Sequence, residues 1–251
     1  MVPAGGRTAP GWRMRTVLLL AGLAAVPAAA AAQPAPPAPA MAPGDAAALA
    51  AVGWFGRGTR PAAGQGNCTL TLVAPDLILT AGHCVPGGPD AAREIGAFTF
   101  LAGWAGGRAA AGARAAEIIR AAPDPARGAP LAGDIALVRL NRRIAAAEVA
   151  PLPLADGSME PGAPVMTIGH PIAAPDVAER QEDCRVLQVE AAVAALDCPA
   201  AGGYSGGPVL SMEWDGWHVA GVVVARGRGG EAAGSYAVTV PGDLRARIAG
   251  R

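Results

Sequence analysis

Asn67-Cys68-Thr69-Leu70-Thr71-Leu72-Val73-Ala74-Pro75-Asp76-Leu77-Ile78-Leu79-Thr80 reads as two short strands around a turn. Thr69 and Thr71 alternate with Leu70 and Leu72, the period of two that a strand imposes on its faces. Pro75-Asp76 then interrupts the run with residues that favour a turn. The same manner of writing recurs in both directions. Upstream lies Ala51 to Phe55; downstream come Ile95 to Ala102, Ala113 to Arg120 and Ile135 to Leu140. Beyond them lie Pro164 to Gly169, Cys184 to Val189, Ala191 to Asp197, Gly207 to Met212, Trp217 to Val224 and Ser235 to Val240. Glycine and proline punctuate the intervals and no long amphipathic helix intervenes, which points to an all-β sandwich or barrel and away from βαβ units. Pro241 to Ile248 is the exception. A proline start, Asp243 in the first turn and Leu244/Ile248 at i,i+4 predict a short closing helix.

The N-terminal segment has another character. Arg7, Arg13 and Arg15 precede the apolar run Val17 to Val26, followed by Pro27 and Ala28 to Ala32. A basic start, an apolar core and small residues form a secretory signal peptide over 1–32, with an uncleaved anchor as the other reading. The run is short for a membrane span, so no stable span is expected after processing. Residues 33–50, rich in proline and alanine, read as a tether or short propeptide, with Gln33 to Gly44 packing against nothing. The remainder of the 251 residues suffices for one large core or two small ones, with Pro151 to Pro164 as the bridge. The predicted halves are 51–154 and 155–251.

Charge excludes some partners. Every basic residue is arginine, and removing residues 1–32 takes away three arginines and no acid, moving the formal balance from 0 to −3. No basic block argues for nucleic acid. The cysteines fall into two local pairs, Cys68/Cys84 and Cys184/Cys198. In an exported chain these are expected as two disulfides, although three pairings are formally possible. Neither pair has the short spacing of a zinc knuckle, so no metal is expected.

The candidate chemistry lies in three separated places. Gly202-Gly203-Tyr204-Ser205-Gly206-Gly207-Pro208 sets a serine among four glycines, where backbone amides can approach a ligand unobstructed. His83 sits beside Cys84, which would hold it rigidly at a strand end. Asp134 stands just ahead of the apolar run Ile135 to Leu140. A histidine, an aspartate and a serine in that order match one of the chain orders in which a base, its orienting acid and a nucleophile cooperate.

Leu79-Thr80-Ala81-Gly82-His83-Cys84, Gly133-Asp134-Ile135-Ala136-Leu137-Val138 and Gly203-Tyr204-Ser205-Gly206-Gly207-Pro208 resemble the three signature blocks of trypsin/chymotrypsin-like serine peptidases. The likeness runs from about Val52 to the final helix and looks closest to bacterial secreted, glutamyl-endopeptidase-like members. It implies two perpendicular six-stranded antiparallel β-barrels with a short C-terminal helix. It also implies catalytic roles for His83, Asp134 and Ser205, an oxyanion hole from the Gly203 and Ser205 amides, a protein or peptide substrate, and no cofactor. A secreted or periplasmic location follows from the leader.

Departures from the family pattern are equally readable. Tyr204 occupies the place of an aspartate that would receive a new N-terminal ammonium, and Ala51-Val52-Gly53 only weakly resembles an activation start. The glycine loop is therefore expected to form without such an ion pair. Val223 replaces the glutamate-reading histidine, and Pro199 stands where an acid would read basic side chains. Together with Val224, Ala225 and Arg226, these residues are the expected substrate-binding wall, and Arg226 would favour an acidic substrate residue only if it points inward. His170 is expected in a turn and His218 on a strand surface. The alternatives to a general endopeptidase are a narrow processing peptidase and a catalytically silent fold used for binding.

Overall fold

The computed structural model describes residues 43–122, 130–157, 159–228 and 233–251. The expected leader and the first part of the tether lie outside these residues.

Six strands close the first barrel: β1 (Val52–Arg57), β2 (Cys68–Ala74), β3 (Leu77–Thr80), β4 (Phe98–Ala102), β5 (Ala111–Arg120) and β6 (Ala136–Leu140). Around it they run β1-β2-β3-β6-β5-β4, all antiparallel. Six more close the second: β7 (Pro164–Gly169), β8 (Glu179–Glu190), β9 (Val193–Leu196), β10 (Pro208–Glu213), β11 (Gly216–Arg226) and β12 (Ser235–Thr239). Their order is β10-β11-β12-β9-β8-β7. The barrels are perpendicular, and the helix Gly242–Ala249 follows, burying Leu244. Closure removes the exposed sheet edges that an open six-stranded sheet would offer to other chains.

Alternation in β2 is real, but neither face meets water. Thr69 and Thr71 are as buried as Leu70 and Leu72. The second barrel covers Thr69, whose Oγ1 meets Gly203 and His170 there. One apolar cluster crosses this seam, joining Leu70, Leu79 and Leu137 of the first barrel to Ile168, Leu210 and Val222 of the second. A second cluster fills the second barrel around Val165, Val209, Val223 and Ala237. Both expected disulfides are present, Cys68–Cys84 and Cys184–Cys198. Each closes a loop of 16 or 14 residues, restraining the unfolded chain by about 3 kcal/mol.

The last residues of the 33–50 stretch are helical. A helix, α1, runs over Pro43–Ala51 and leads directly into β1, with Ala48 and Ala51 fully buried. It lies against β1, β2 and β11. Alanine composition, read as linker, here supplies both helix propensity and side chains small enough for close approach to the barrels. The bridge between the barrels is also more than a linker: Val219 donates to Pro153, Ala155 donates to Val219, and Leu154 pairs beside β11. Among the described residues no helix is long and apolar enough to cross a membrane.

A chain beginning at Val52 is expected to fold but to melt lower than one beginning at Pro43, by about 1–2 kcal/mol of lost apolar burial. Calorimetry on the two purified forms measures it, and equal melting would mean that α1 adds nothing to the packed unit.

Candidate active site

His83 lies in a single 3-10 turn, Gly82–Cys84, at the end of β3. Two independent ties hold that turn. The disulfide joins its last residue to β2, and the Arg120 guanidinium donates to the carbonyls of Gly82 (3.3 Å) and Pro86 (2.9 Å) on either side. Asp134, two residues before β6, grips His83 at two points. Its Oδ1 accepts the His83 main-chain N–H at 2.7 Å and its Oδ2 meets the ring Nδ1 at 2.6 Å. Gly82 has no side chain to obstruct this approach; a Cβ there would lie 3.0 Å from Asp134 Oδ1.

Exposure separates the roles within the pair. The Asp134 side chain is 19% exposed and His83 is 47% exposed, so the carboxylate is covered while the imidazole is open. The hydrogen bond from Asp134 raises the His83 pKa above 6.5, burial lowers it, and the carboxylate's charge raises it further. With Nδ1–H donated to Asp134, neutral His83 keeps Nε2 as its proton acceptor.

Ser205 belongs to the loop between β9 and β10, which the tertiary fold brings against the same turn. Its carbonyl accepts the Thr69 N–H at 2.9 Å and lies 3.6 Å from Cys84 Sγ. Gly206 makes that approach possible, and Gly203 lets the loop pack against the His170 segment. At Gly206 (φ +84°) a Cβ would fall 2.2 Å from Thr80 Oγ1 and 2.3 Å from the Thr69 carbonyl oxygen. At Gly203 (φ +100°) a Cβ would fall 2.2 Å from the His170 carbonyl oxygen. Any other residue would suffer both the backbone strain and the collision. Neither the Gly203 nor the Ser205 amide donates to another group among the described residues.

Tyr204 is buried, its ring against Gly169. Its hydroxyl donates to Glu179 and accepts from Gln181 Nε2 at 3.3 Å. Burial first, and the Glu179 bond second, push its pKa up to about 12. The loop takes this shape while Ala51 and Val52 remain joined and buried, in α1 and β1.

A family model described as the trypsin-like peptidase domain matches residues 68–222, a stretch that spans the His83 turn, Asp134 and the glycine loop. The chain belongs to this family. The likeness first seen in three short blocks therefore extends over most of both barrels of the trypsin-like domain. Among solved structures it is similar to one titled "Structure of Glu endopeptidase in complex with MPD", at 16% identity and a TM-score of 0.59, covering 80% of this chain and 89% of that one. At that identity the likeness speaks for the fold. No curated protein sequence matches the chain.

The expected specificity wall of the trypsin-like domain divides. Val223 packs inside the second barrel and Val224 in the cluster at the seam, whereas Ala225 is half-buried. Arg226 and Pro199 are exposed. Two histidines differ from expectation. His170 does lie in a connecting segment but is completely buried, its Nδ1 against the Pro175 carbonyl, and burial lowers its pKa. His218 is not on an exposed strand surface. It is buried at the β10–β11 hairpin, with Nε2 2.7 Å from Asp215 and Nδ1 3.5 Å from Glu213.

A groove of about 350 Å³ runs past His83, lined by Phe55, Arg57, Asn67, Val85 and Phe98 among others. Sequence reasoning found neither this groove nor Arg120, Thr69 and Asn67. No local signal marks them, because their partners are distant in the chain.

The Asp134 bond predicts a titration. His83 should gain its proton at a pH above 6.5, and Asp134→Asn should move the midpoint down, since an amide bears no charge. A raised folded pKa stabilises the folded state below the unfolded pKa, and this contribution disappears as pH rises through the folded pKa. NMR of the imidazole measures both midpoints; coincident midpoints in the two proteins would remove Asp134 as the cause.

Proposed function

We propose that the chain is an exported serine endopeptidase, acting in the periplasm or after release. The observation that carries this reading is the 2.6 Å contact from Asp134 to His83 Nδ1, on a turn lying against the Ser205 main chain. In this mechanism His83 Nε2 accepts the Ser205 hydroxyl proton as Oγ attacks a peptide carbonyl carbon. Asp134 keeps the remaining imidazole proton on Nδ1 and supports the charge that develops. The oxygen of the tetrahedral intermediate takes hydrogen bonds from the Gly203 and Ser205 amides, fixed donors that stabilise the developing charge. His83 then gives its proton to the leaving amine, the C–N bond breaks, and an acyl-Ser205 remains. Water repeats the sequence: His83 takes its proton, hydroxide adds to the acyl carbon, and Ser205 Oγ leaves with the proton returned.

The substrate enters extended, adding its backbone to Val224 to Arg226, the part of β11 that runs past its pairing with β10. The groove beside His83 takes the leaving side of the peptide. Its aromatic floor combines Phe98, stacked on Phe55 at 5.2 Å, with Arg57 placed 4.9 Å over the Phe98 ring.

A fluorophosphonate probe tests the reading directly. The oxidised, folded protein should label at one site, and Ser205→Ala should abolish the reaction. Asp134→Asn should slow peptide turnover by about four orders of magnitude while the fold survives. Absence of labelling in correctly folded protein would replace the endopeptidase with a binding role for the same fold.

A further inference from the structure

The catalytic reading requires two amides to point at one place, and the carbonyls that precede them govern their direction. A peptide unit is planar and trans, so its C=O and N–H point in opposite directions. Gly202 C=O accepts the Ile172 N–H at 2.7 Å, which turns the Gly203 N–H away from Ile172. Tyr204 C=O accepts the Gly207 N–H at 2.9 Å, which turns the Ser205 N–H the other way in its own unit. The second anchor is internal to the glycine loop. The first depends on the segment His170-Pro171-Ile172, and that segment is held by the other barrel.

Two side chains of the first barrel do the holding. Thr69 Oγ1 is 2.7 Å from the Gly203 carbonyl oxygen and 2.8 Å from the His170 main-chain nitrogen. A carbonyl only accepts and an N–H only donates, so the hydroxyl proton must go to Gly203 and a lone pair must receive the His170 N–H. Asn67 Nδ2 donates to the His170 carbonyl at 2.9 Å, so both main-chain polar groups of that residue are used. The Thr69 and Asn67 side chains are buried, leaving no ready water to replace either bond. The same His170 carbonyl oxygen occupies the space where a Gly203 Cβ would be.

We propose that Thr69 and Asn67 are positioning residues that aim the Gly203 amide, so that docking of the first barrel sets the oxyanion site of the second. This inference rests on the endopeptidase reading for its chemistry but not for its geometry. Thr69 therefore has a different role from Thr71, whose buried hydroxyl has no partner among the described residues. Thr69→Val keeps the shape and removes both bonds; Thr69→Ser keeps both bonds and loses a methyl. Asn67→Ala removes only the support behind His170.

The experiment compares full-length wild type with Thr69→Val, Thr69→Ser and Asn67→Ala, each shown to be folded by circular dichroism. Amide hydrogen exchange over 201–206 should quicken about tenfold in Thr69→Val, with the barrel strands unaffected. The second-order rate of fluorophosphonate labelling should fall by about ten- to a hundredfold. Its pH inflection should stay in place, because the His83–Asp134 pair is untouched. Thr69→Ser should recover most of the rate, and Asn67→Ala should show a smaller loss of the same kind. Unchanged loop exchange in folded Thr69→Val and Asn67→Ala would overturn the proposal. So would a labelling loss in Thr69→Ser equal to that in Thr69→Val. A wild type that does not label refutes the endopeptidase reading instead, and loop exchange alone then decides for or against the positioning role of Thr69 and Asn67.

Discussion

One main-chain hydrogen bond, from the Thr69 N–H to the Ser205 carbonyl at 2.9 Å, fixes how closely the barrels meet at the site. It asks a loop of the second barrel to lie flat against a strand of the first. That demand propagates outward. Gly206 can carry no side chain, since Thr80 and the Thr69 carbonyl occupy its Cβ position, and Gly203 can carry none, since His170 occupies its own. Gly206 thus serves contact between the barrels, and Gly203 close packing against the second barrel's own His170 segment, as much as access to a ligand.

The apolar seam provides the stabilisation and the polar contacts provide the geometry. Leu70 and Leu79 share a cluster with Ile168, Leu210 and Val222, so the barrels are joined by burial that is non-directional and tolerates small slides. Hydrogen bonds tolerate far less. A buried donor left without an acceptor costs about 1–3 kcal/mol. Thr69, Asn67 and the His170 main chain thus convert a loosely specified apolar contact into one registered arrangement. Tyr204 belongs to the same logic: its ring fills the space over Gly169 and its hydroxyl meets Glu179, giving the loop a neutral, packed anchor.

The histidine side of the site is built separately and wholly within the first barrel. Its rigidity comes from a disulfide, an arginine bracketing the turn, and one carboxylate that binds both backbone and ring. Asp134 satisfies the turn's main-chain N–H as well as orienting the imidazole, so local folding of the turn and electrostatic preparation of His83 arise from the same two oxygens. The two halves meet at Cys84 and Ser205, where the histidine turn and the serine loop come within van der Waals reach.

The strands, the two disulfides and the closing helix were legible in the chain, as were His83, Asp134 and Ser205 as candidates, because each is marked by local pattern. Alternation marks a strand, spacing marks a cysteine pair, and glycine marks a constrained turn. The first helix was hidden by composition: proline and alanine describe a tether until a barrel surface is present for Ala48 and Ala51 to fill. The alternation of Thr69 and Thr71 with Leu70 and Leu72 marks a strand but does not say what covers its threonine side. Thr69 meets a segment of the second barrel more than a hundred residues away. His218 was misplaced for the same reason, since hairpin closure brings Asp215 and Glu213 to its ring. Short-range chemistry writes itself into neighbouring residues. The partner of a buried polar side chain is chosen by docking, and docking distances have no signature in a linear sequence.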